Sequence, residues 1–284
     1  MAKHDIFKKA YSEHIIDITE TQIIWRDGTK MPVNITESKL LVPFSKIEQR
    51  NYQEKLNDPV ILDQISIAYI PGQEGIIKAQ TVVDYDPGRI RYMPFFKKMY
   101  GTNREEVKNN LVEVKWLPNV LKSKCEDDAS IKLEVTKINN VVNKIESISS
   151  KLEAVLTDEQ IKQYLDNPGG TFCWREIAGT NRLSAHSFGM TIGISAESNY
   201  WLWDYQKEHN LDSIKVDVRE EDIDANSFPS YRNTINTIPE TIIQTIIQTF
   251  NEEGFIWGGH WYHYDTMHFE YRPELLPNLI GEHS

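Results

Sequence analysis

The stretch 184-SAHSFGMTIGIS-195 decides the interpretation of the second half of this chain. It carries one histidine, His186, among small residues, followed by an apolar run over 190–194 that is typical of a buried strand. Gly193 interrupts that run, and a glycine inside a strand weakens it because it has no side chain to pack. The glycine therefore raises the question of which side chain the fold would place at position 193.

A second histidine-rich stretch, 254-GFIWGGHWYHYDTMHFEYRPEL-275, follows later in the chain. Within it Asp265 precedes His268 by three positions, a spacing that can direct both side chains into one cleft at the mouth of a strand. Histidine nitrogen atoms bind zinc, and a neighbouring carboxylate can take a proton from water. On this spacing alone, a surface aspartate beside a half-buried histidine is the favoured explanation.

The composition excludes some classes of function. The chain has 284 residues, 40% hydrophobic and 26% charged, which is ordinary for a globular protein, and a net charge of −11. That negative charge argues against a nucleic-acid partner, whose phosphates would be repelled. The sequence has no apolar run long enough for a membrane span, and its first residues lack the apolar segment of a secretory signal.

Hydrophobic periodicity predicts how the elements are arranged. Apolar residues at helical spacing predict a long amphipathic helix over 135–155, and two further helices are expected over 157–166 and 237–251. Strand-like segments lie at 171–175, 190–194, 214–218, 255–257 and 268–271. Because strands and helices come in blocks, we expect an α+β fold with a small antiparallel sheet flanked by helices.

Together the two histidine-bearing stretches resemble the zinc peptidases of the D-alanyl-D-alanine carboxypeptidase (VanY-like) family. That family includes the phage L-alanyl-D-glutamate endolysins and shares its fold with the hedgehog signalling domain. Its pattern is Ser-x-His-x-x-Gly-x-Ala-x-Asp, then Asp or Glu-x-x-His. The corresponding residues here are Ser184, His186, Gly189, Thr191, Gly193, Asp265 and His268.

The resemblance also divides the chain. It extends to spacers such as 114-VKWLP-118 and 257-WGG-259 and covers roughly residues 85–276. It implies a zinc peptidase-like domain over 85–276 with a hedgehog-type fold. Residues 1–80 lie outside it and are expected to form an N-terminal accessory region.

The resemblance implies that a zinc ion is held by His186 and His268. In the family an aspartate supplies the third ligand, and here Gly193 occupies that position. Two neutral imidazoles leave the charge of the ion uncompensated, so we expect zinc to bind more weakly than in the family. The side chains considered as substitute ligands are Ser195, Glu197, Asp204 and His263.

The resemblance further assigns roles to the surrounding residues. Asp265 corresponds to the general base, which orients the attacking water and passes its proton to the leaving amine. Arg175 is the first candidate for stabilising the oxyanion. The residues expected to contact the substrate are Arg182, Ser184 and Trp257, and Glu270 is a candidate for orienting a histidine.

These roles predict a zinc-dependent peptidoglycan peptidase, most simply a D-alanyl-D-alanine carboxypeptidase in which metal-bound water attacks a peptide carbonyl. The partner is a peptidoglycan stem peptide, which places the protein outside the cytoplasmic membrane. Because Gly193 replaces a ligand, the alternative is a catalytically impaired pseudoenzyme that binds cell-wall peptide without cutting it. A weaker alternative is that residues 1–80 carry the function by docking to a partner or a wall polymer.

Overall fold

The computed structural model describes residues 3–121, 130–177, 180–194 and 239–276. Within these ranges the chain mixes helices with three small antiparallel sheets, as expected for an α+β fold. No helix among the described residues is long and apolar enough to cross a membrane.

The N-terminal part begins with a helix and a three-stranded meander. Helix α1 (Lys3–Ala10) leads into β1 (Ile15–Ile18), β2 (Gln22–Trp25) and β3 (Lys30–Pro32), which pair in that order. Gly28 takes a φ of 81° in the turn between β2 and β3, a conformation that glycine adopts without strain. Three helices follow: α2 (Phe44–Ile47), α3 (Tyr52–Asn57) and α4 (Gly72–Thr81).

The middle of the chain forms a hairpin covered by helices. Helices α5 (Met93–Tyr100) and α6 (Arg104–Lys108) precede strands β4 (Leu111–Trp116) and β5 (Ile131–Thr136). Helix α7 (Val141–Val155) then packs on β4, and α8 (Asp158–Tyr164) begins at a capping box formed by Thr157.

The helix expected over 135–155 therefore starts later than predicted. Val135 lies in β5, where it pairs with Val112 of β4. Asn139 and Asn140 follow with positive φ values of 56° and 58°, which interrupt any helix passing through them. The strand pairing and these two residues delay the helix to Val141.

The third sheet carries both histidine motifs. Strands β6 (Thr191–Gly193), β7 (Phe255–Trp257) and β8 (His268–Tyr271) pair in the order β6-β8-β7, and α9 (Glu240–Glu252) packs on β7. In the antiparallel register Thr191 faces Glu270 and Gly193 faces His268. Directly opposed residues project to the same face of a sheet, so position 193 shares a face with His268.

The segment 171–175 does not form the expected strand. It is held by the isolated bridges Gly170↔Gly193 and Glu176↔Leu183 on either side of it. Its hydrogen bonds go instead to the histidine turn, as when Cys173 N donates to His186 O. The strand expected over 214–218 and the cap expected at 237–238 lie outside the described residues.

The N-terminal part packs directly on the rest of the protein. Phe7, Tyr11 and Trp25 belong to the same buried cluster as Phe188 and Phe269, which flank the histidine motifs. Phe95 contacts the rings of all three N-terminal aromatic residues. The part expected to be accessory therefore shares one hydrophobic core with the sheet that carries the site.

Candidate functional site

Two imidazole rings from remote parts of the chain meet at the edge of the third sheet. His186 lies in the short 3-10 helix Ala185–Phe188, and His268 begins β8. Their ring centroids are 5.2 Å apart and inclined at 66°. The sequence motifs that carry these two residues therefore converge on one place.

Each ring has one nitrogen fixed by a hydrogen bond. Nδ1 of His186 lies 3.1 Å from the carbonyl oxygen of Thr171, and Nε2 of His268 lies 3.1 Å from Oε2 of Glu270. Both partners only accept, so these nitrogen atoms carry the protons when the rings are neutral. The lone pairs are then on Nε2 of His186 and Nδ1 of His268.

His186 stays neutral over a wide range of pH. Burial first, and then the neighbouring His268, lower its pKa from the ordinary value to about 3. A neutral imidazole with a free lone pair is the form that binds a metal ion or accepts a proton.

Asp265 lies three residues before His268 and is poorly solvated. Its Oδ1 is buried and accepts no hydrogen bond from any residue that the structure describes. Burial raises the pKa of this carboxyl, and the opposing effects of His268 and Arg89 do not cancel the increase. A carboxyl with a raised pKa is suited to accepting and releasing a proton.

Glu270 has the opposite environment. Its carboxylate receives a two-pronged contact from Arg91, with Nε at 2.7 Å from Oε1 and Nη2 on Oε2. Arg272 Nη1 lies 3.2 Å from Oε1. Burial alone would raise the pKa of Glu270, but the two arginines and His268 hold it well below the ordinary value.

The space beside Gly193 is occupied by the side chain of Met267. A Cβ atom built on Gly193 would lie 2.6 Å from Cε of Met267 and 3.3 Å from Cα of Gly169. The φ of Gly193 lies outside the left-handed region, so its backbone does not require glycine. The space that an aspartate would need is taken by the flexible end of the Met267 side chain.

The two arginines proposed for the substrate lie in different surroundings. Arg175 is exposed, and its backbone is tied to Ser184 and to the Ser187 hydroxyl. Arg182 is partly buried, and its pKa falls to about 10 through burial first and then through Arg91 and Arg89. The ion pairs formed among the described residues do not include Arg182.

Ser184 and Trp257 have structural contacts that the sequence did not indicate. The Ser184 hydroxyl accepts a hydrogen bond from His186 N at 3.3 Å and so caps the histidine turn. Trp257 is 1% exposed, and its indole N–H donates to the carbonyl of Thr266 at 2.8 Å. Trp257 is therefore a core residue of β7 and does not line the cleft as expected. Trp261, whose ring lies 5.3 Å from His268, is the tryptophan beside the site.

Among the proposed substitute ligands, only His263 lies within the described residues. Its Nδ1 is 2.7 Å from Oδ2 of the buried Asp86, which also accepts from His263 N and from Tyr52 Oη. Ser195, Glu197 and Asp204 lie outside the described residues. Across the part of the chain that the structure describes, no group of three acidic, histidine or cysteine side chains could hold a metal ion.

Sequence reasoning missed Asp86, Arg91 and Met267. Arg91 and Asp86 lie in 86-DPGRIR-91, far along the chain from the residues they contact, and nothing local identifies their partners. Met267 lies inside the Asp265-x-x-His268 motif, so the sequence shows that it is next to His268. Its contact with position 193 could not be predicted from the sequence.

A family model described as D-alanyl-D-alanine carboxypeptidase matches residues 178–271. The match spans both histidine motifs and supports the assignment of this part of the chain to that peptidase family. No curated protein and no solved structure matches the chain. The matched part of the chain is thus similar to a D-alanyl-D-alanine carboxypeptidase family.

The donor chemistry of this site fits a zinc ion only in part. Two neutral imidazoles with free lone pairs suit zinc, but a catalytic zinc site normally has three protein ligands and a water. The third position is Gly193, with the Met267 methyl group against it. The described residues would thus offer a zinc ion two ligands, fewer than a complete set.

Proposed function

We propose that this protein is a peptidase of the D-alanyl-D-alanine carboxypeptidase type that acts on peptidoglycan stem peptides at the His186–His268–Asp265 cluster. The observation that carries the proposal is the meeting of two imidazoles, with rings 5.2 Å apart, beside a buried carboxyl whose pKa is raised. The family match over 178–271 supports the same chemistry. A hedgehog-type fold for the domain and a location outside the cytoplasmic membrane are parts of this proposal.

His186 and His268 would hold the zinc ion, through Nε2 and Nδ1 respectively. When bound, zinc acts as a Lewis acid toward a peptide carbonyl. The missing third ligand makes the bound fraction depend on the free zinc concentration, so activity should rise as zinc is added. A site with three protein ligands would instead hold zinc without added metal.

The chain's own residues account for the proton transfers. Asp265 takes a proton from the attacking water and returns it to the leaving amine, which its raised pKa favours. Arg175 would stabilise negative charge on the carbonyl oxygen, and Arg182 would contact the substrate. Ser184 contributes by capping the turn that presents His186.

The experiment is a zinc titration of D-alanine release from a muramyl pentapeptide. We expect release to increase with zinc and to be lost in His268→Gln, while Trp257→Phe, a core change away from the cleft, retains it if folded. Absence of release at every zinc concentration, with no binding of the peptide, would overturn the proposal.

The second candidate is a protein that binds cell-wall peptide without cutting it. The observation that favours it is the Met267 methyl group in the place of a ligand. The same titration distinguishes the two functions. Saturable binding of the pentapeptide without D-alanine release at any zinc concentration would support this candidate and exclude the peptidase.

A further inference from the structure

His268 is the end of a chain of buried charged and polar groups that reaches Tyr11, directly after the first helix. We call this set of five residues the buried charge chain: Tyr11, Glu274, Arg272, Glu270 and Arg91. All five are at most 8% exposed. Three of them lie at 270–274, from β8 to the 3-10 helix after it, and the other two come from the N-terminal third of the sequence.

The near end of the buried charge chain fixes the ring of His268. Nε2 lies 3.1 Å from Oε2 of Glu270, and a carboxylate held between two arginines is an acceptor. The ring must therefore donate through Nε2, which leaves the lone pair of the neutral imidazole on Nδ1. The position of the Glu270 carboxylate thus decides which nitrogen of His268 is available in the cleft.

The Glu270 carboxylate is itself immobilised from both sides. Arg91 binds both of its oxygen atoms, a planar two-pronged contact that fixes direction as well as charge. Arg272 approaches Oε1 at 3.2 Å and donates through the same Nη1 to the carbonyl of Gly88 at 2.5 Å. A lysine at position 91 would retain the charge but not this fork.

The far end of the network is Tyr11, which directly follows α1. Arg272 Nε lies 2.6 Å from Oε1 of Glu274, and Tyr11 Oη donates to Oε2 of the same carboxylate at 2.6 Å. Two carboxylates and two guanidinium groups balance in charge. The charged groups of the network are therefore paired with one another.

We propose that Arg91 and Arg272 are positioning residues, which hold the Glu270 carboxylate so that His268 keeps its proton on Nε2 and presents Nδ1 to the cleft, with Tyr11 anchoring the far end. The proposal rests on the proposed function only in treating His268 as a site residue. Tyr11, Arg91 and Arg272 all lie outside the matched residues 178–271. The N-terminal part is then a component of the site and not an accessory.

The test is the tautomer of His268, measured by nitrogen-15 NMR on the full-length, metal-free protein at about pH 8, above the ordinary histidine pKa. His268 is assigned by comparison with His268→Gln. We expect wild type to show the Nε2-protonated tautomer alone. In Arg91→Met the ratio of the two tautomers should shift toward Nδ1 by about tenfold or more, and Arg91→Lys should shift it less.

The matched control is Arg50→Met, which removes an arginine that pairs with a different buried carboxylate, Asp63. It should leave the tautomer of His268 unchanged even if it lowers stability. Should Arg91→Met fail to fold, Arg91→Lys and the wild-type spectrum still decide the question.

A wild-type His268 protonated on Nδ1, or a folded Arg91 variant with an unchanged tautomer ratio, would overturn the proposal. Because the measurement uses neither metal nor peptide, it is independent of whether the protein hydrolyses a stem peptide. Loss of the peptidase assignment would show in D-alanine release and leave the tautomer result standing.

Discussion

Two buried carboxyl groups flank His268, and their environments are opposite. Glu270, two residues after the histidine, contacts Arg91 and Arg272 and has a pKa well below the ordinary value. Asp265, three residues before it, has a buried oxygen without a hydrogen bond among the described residues and a raised pKa. Both are shielded from water, so the difference comes from their partners and not from burial.

The comparison separates a structural carboxylate from a reactive carboxyl. A buried carboxylate whose hydrogen bonds and charge are fully paired helps to fix the local geometry. Removing one of its partners destabilises the folded protein. A poorly paired carboxyl costs free energy in the fold but can exchange a proton at the site. Substitution of Glu270 should therefore mainly lower stability, and substitution of Asp265 should mainly lower activity.

The largest effect is expected from Asp265→Asn on activity. Removing a positioned proton acceptor should lower D-alanine release by about 10²–10⁴-fold at saturating zinc. The unfolding free energy should change by less than about 1 kcal/mol, because the buried Oδ1 has no hydrogen bond to lose. Steady-state D-alanine release measures the effect on activity, and urea denaturation of the same preparation measures the effect on stability. A variant that retains full release would show that Asp265 is not the general base.

The next effect is that of Glu270→Met on stability. Replacing Glu270 leaves the guanidinium groups of Arg91 and Arg272 buried with too little negative charge. We expect the unfolding free energy to fall by about 3–5 kcal/mol, as measured by urea denaturation. If the unfolding free energy fell by less than about 1 kcal/mol, as expected for Asp265→Asn, Glu270 would not differ from Asp265 in its contribution to stability.

A smaller effect is expected from Asp86, which extends the comparison to a paired carboxylate away from His268. Burial would raise its pKa, but Arg89, His263 and Tyr52 outweigh burial and lower it from 3.8 to about 2. Since the folded-state pKa is depressed, Asp86 stabilises the fold above pH 3.8, and this contribution is lost as the pH falls through about 2. Its size is roughly 2 kcal/mol.

Denaturation of wild type and Asp86→Asn between about pH 5 and pH 2 measures this contribution. The stability difference between the two proteins should shrink as the pH falls. A difference that stays constant over this range would show that Asp86 titrates normally in the folded protein.

The smallest effect is expected where an ion pair is exposed. Lys132 and Glu113 pair across β4 and β5 at 3.2 Å, with side chains 54% and 63% exposed. Lys132→Ala should change the unfolding free energy by less than about 0.5 kcal/mol, because water screens such pairs. A loss as large as that of Glu270→Met would mean that burial does not govern the strength of these contacts.

Local signals in the sequence predicted a part of this fold. Strands β7 and β8, the capping box at Thr157 and the glycine that follows the end of α9, Gly254, were predicted from residues within a few positions of each other. The start of α7 was missed because the pairing of Val135 with β4 overrides a helical pattern.

The site was predictable only where a motif carried it. His186 and His268 came from the resemblance, whereas Arg91 and Glu270 are separated by 179 positions and Tyr11 and Glu274 by 263. Their pairing depends on the tertiary fold, which no local spacing specifies. The burial of Trp257 was missed for the same reason.

We propose that His186 and His268 form a zinc site that lacks a third ligand because position 193 is a glycine. Zinc affinity, measured by competition with a chelator, tests it most directly in wild type, Met267→Ala and the double variant Gly193→Asp with Met267→Ala, which clears the methyl group from the new side chain. We predict weak zinc binding in wild type and in Met267→Ala, and affinity at least about 10–100-fold higher in the double variant, with D-alanine release reaching its maximum at correspondingly lower zinc. Equal zinc affinity in all three proteins, with the double variant folded, would show that the residue at position 193 does not limit zinc binding.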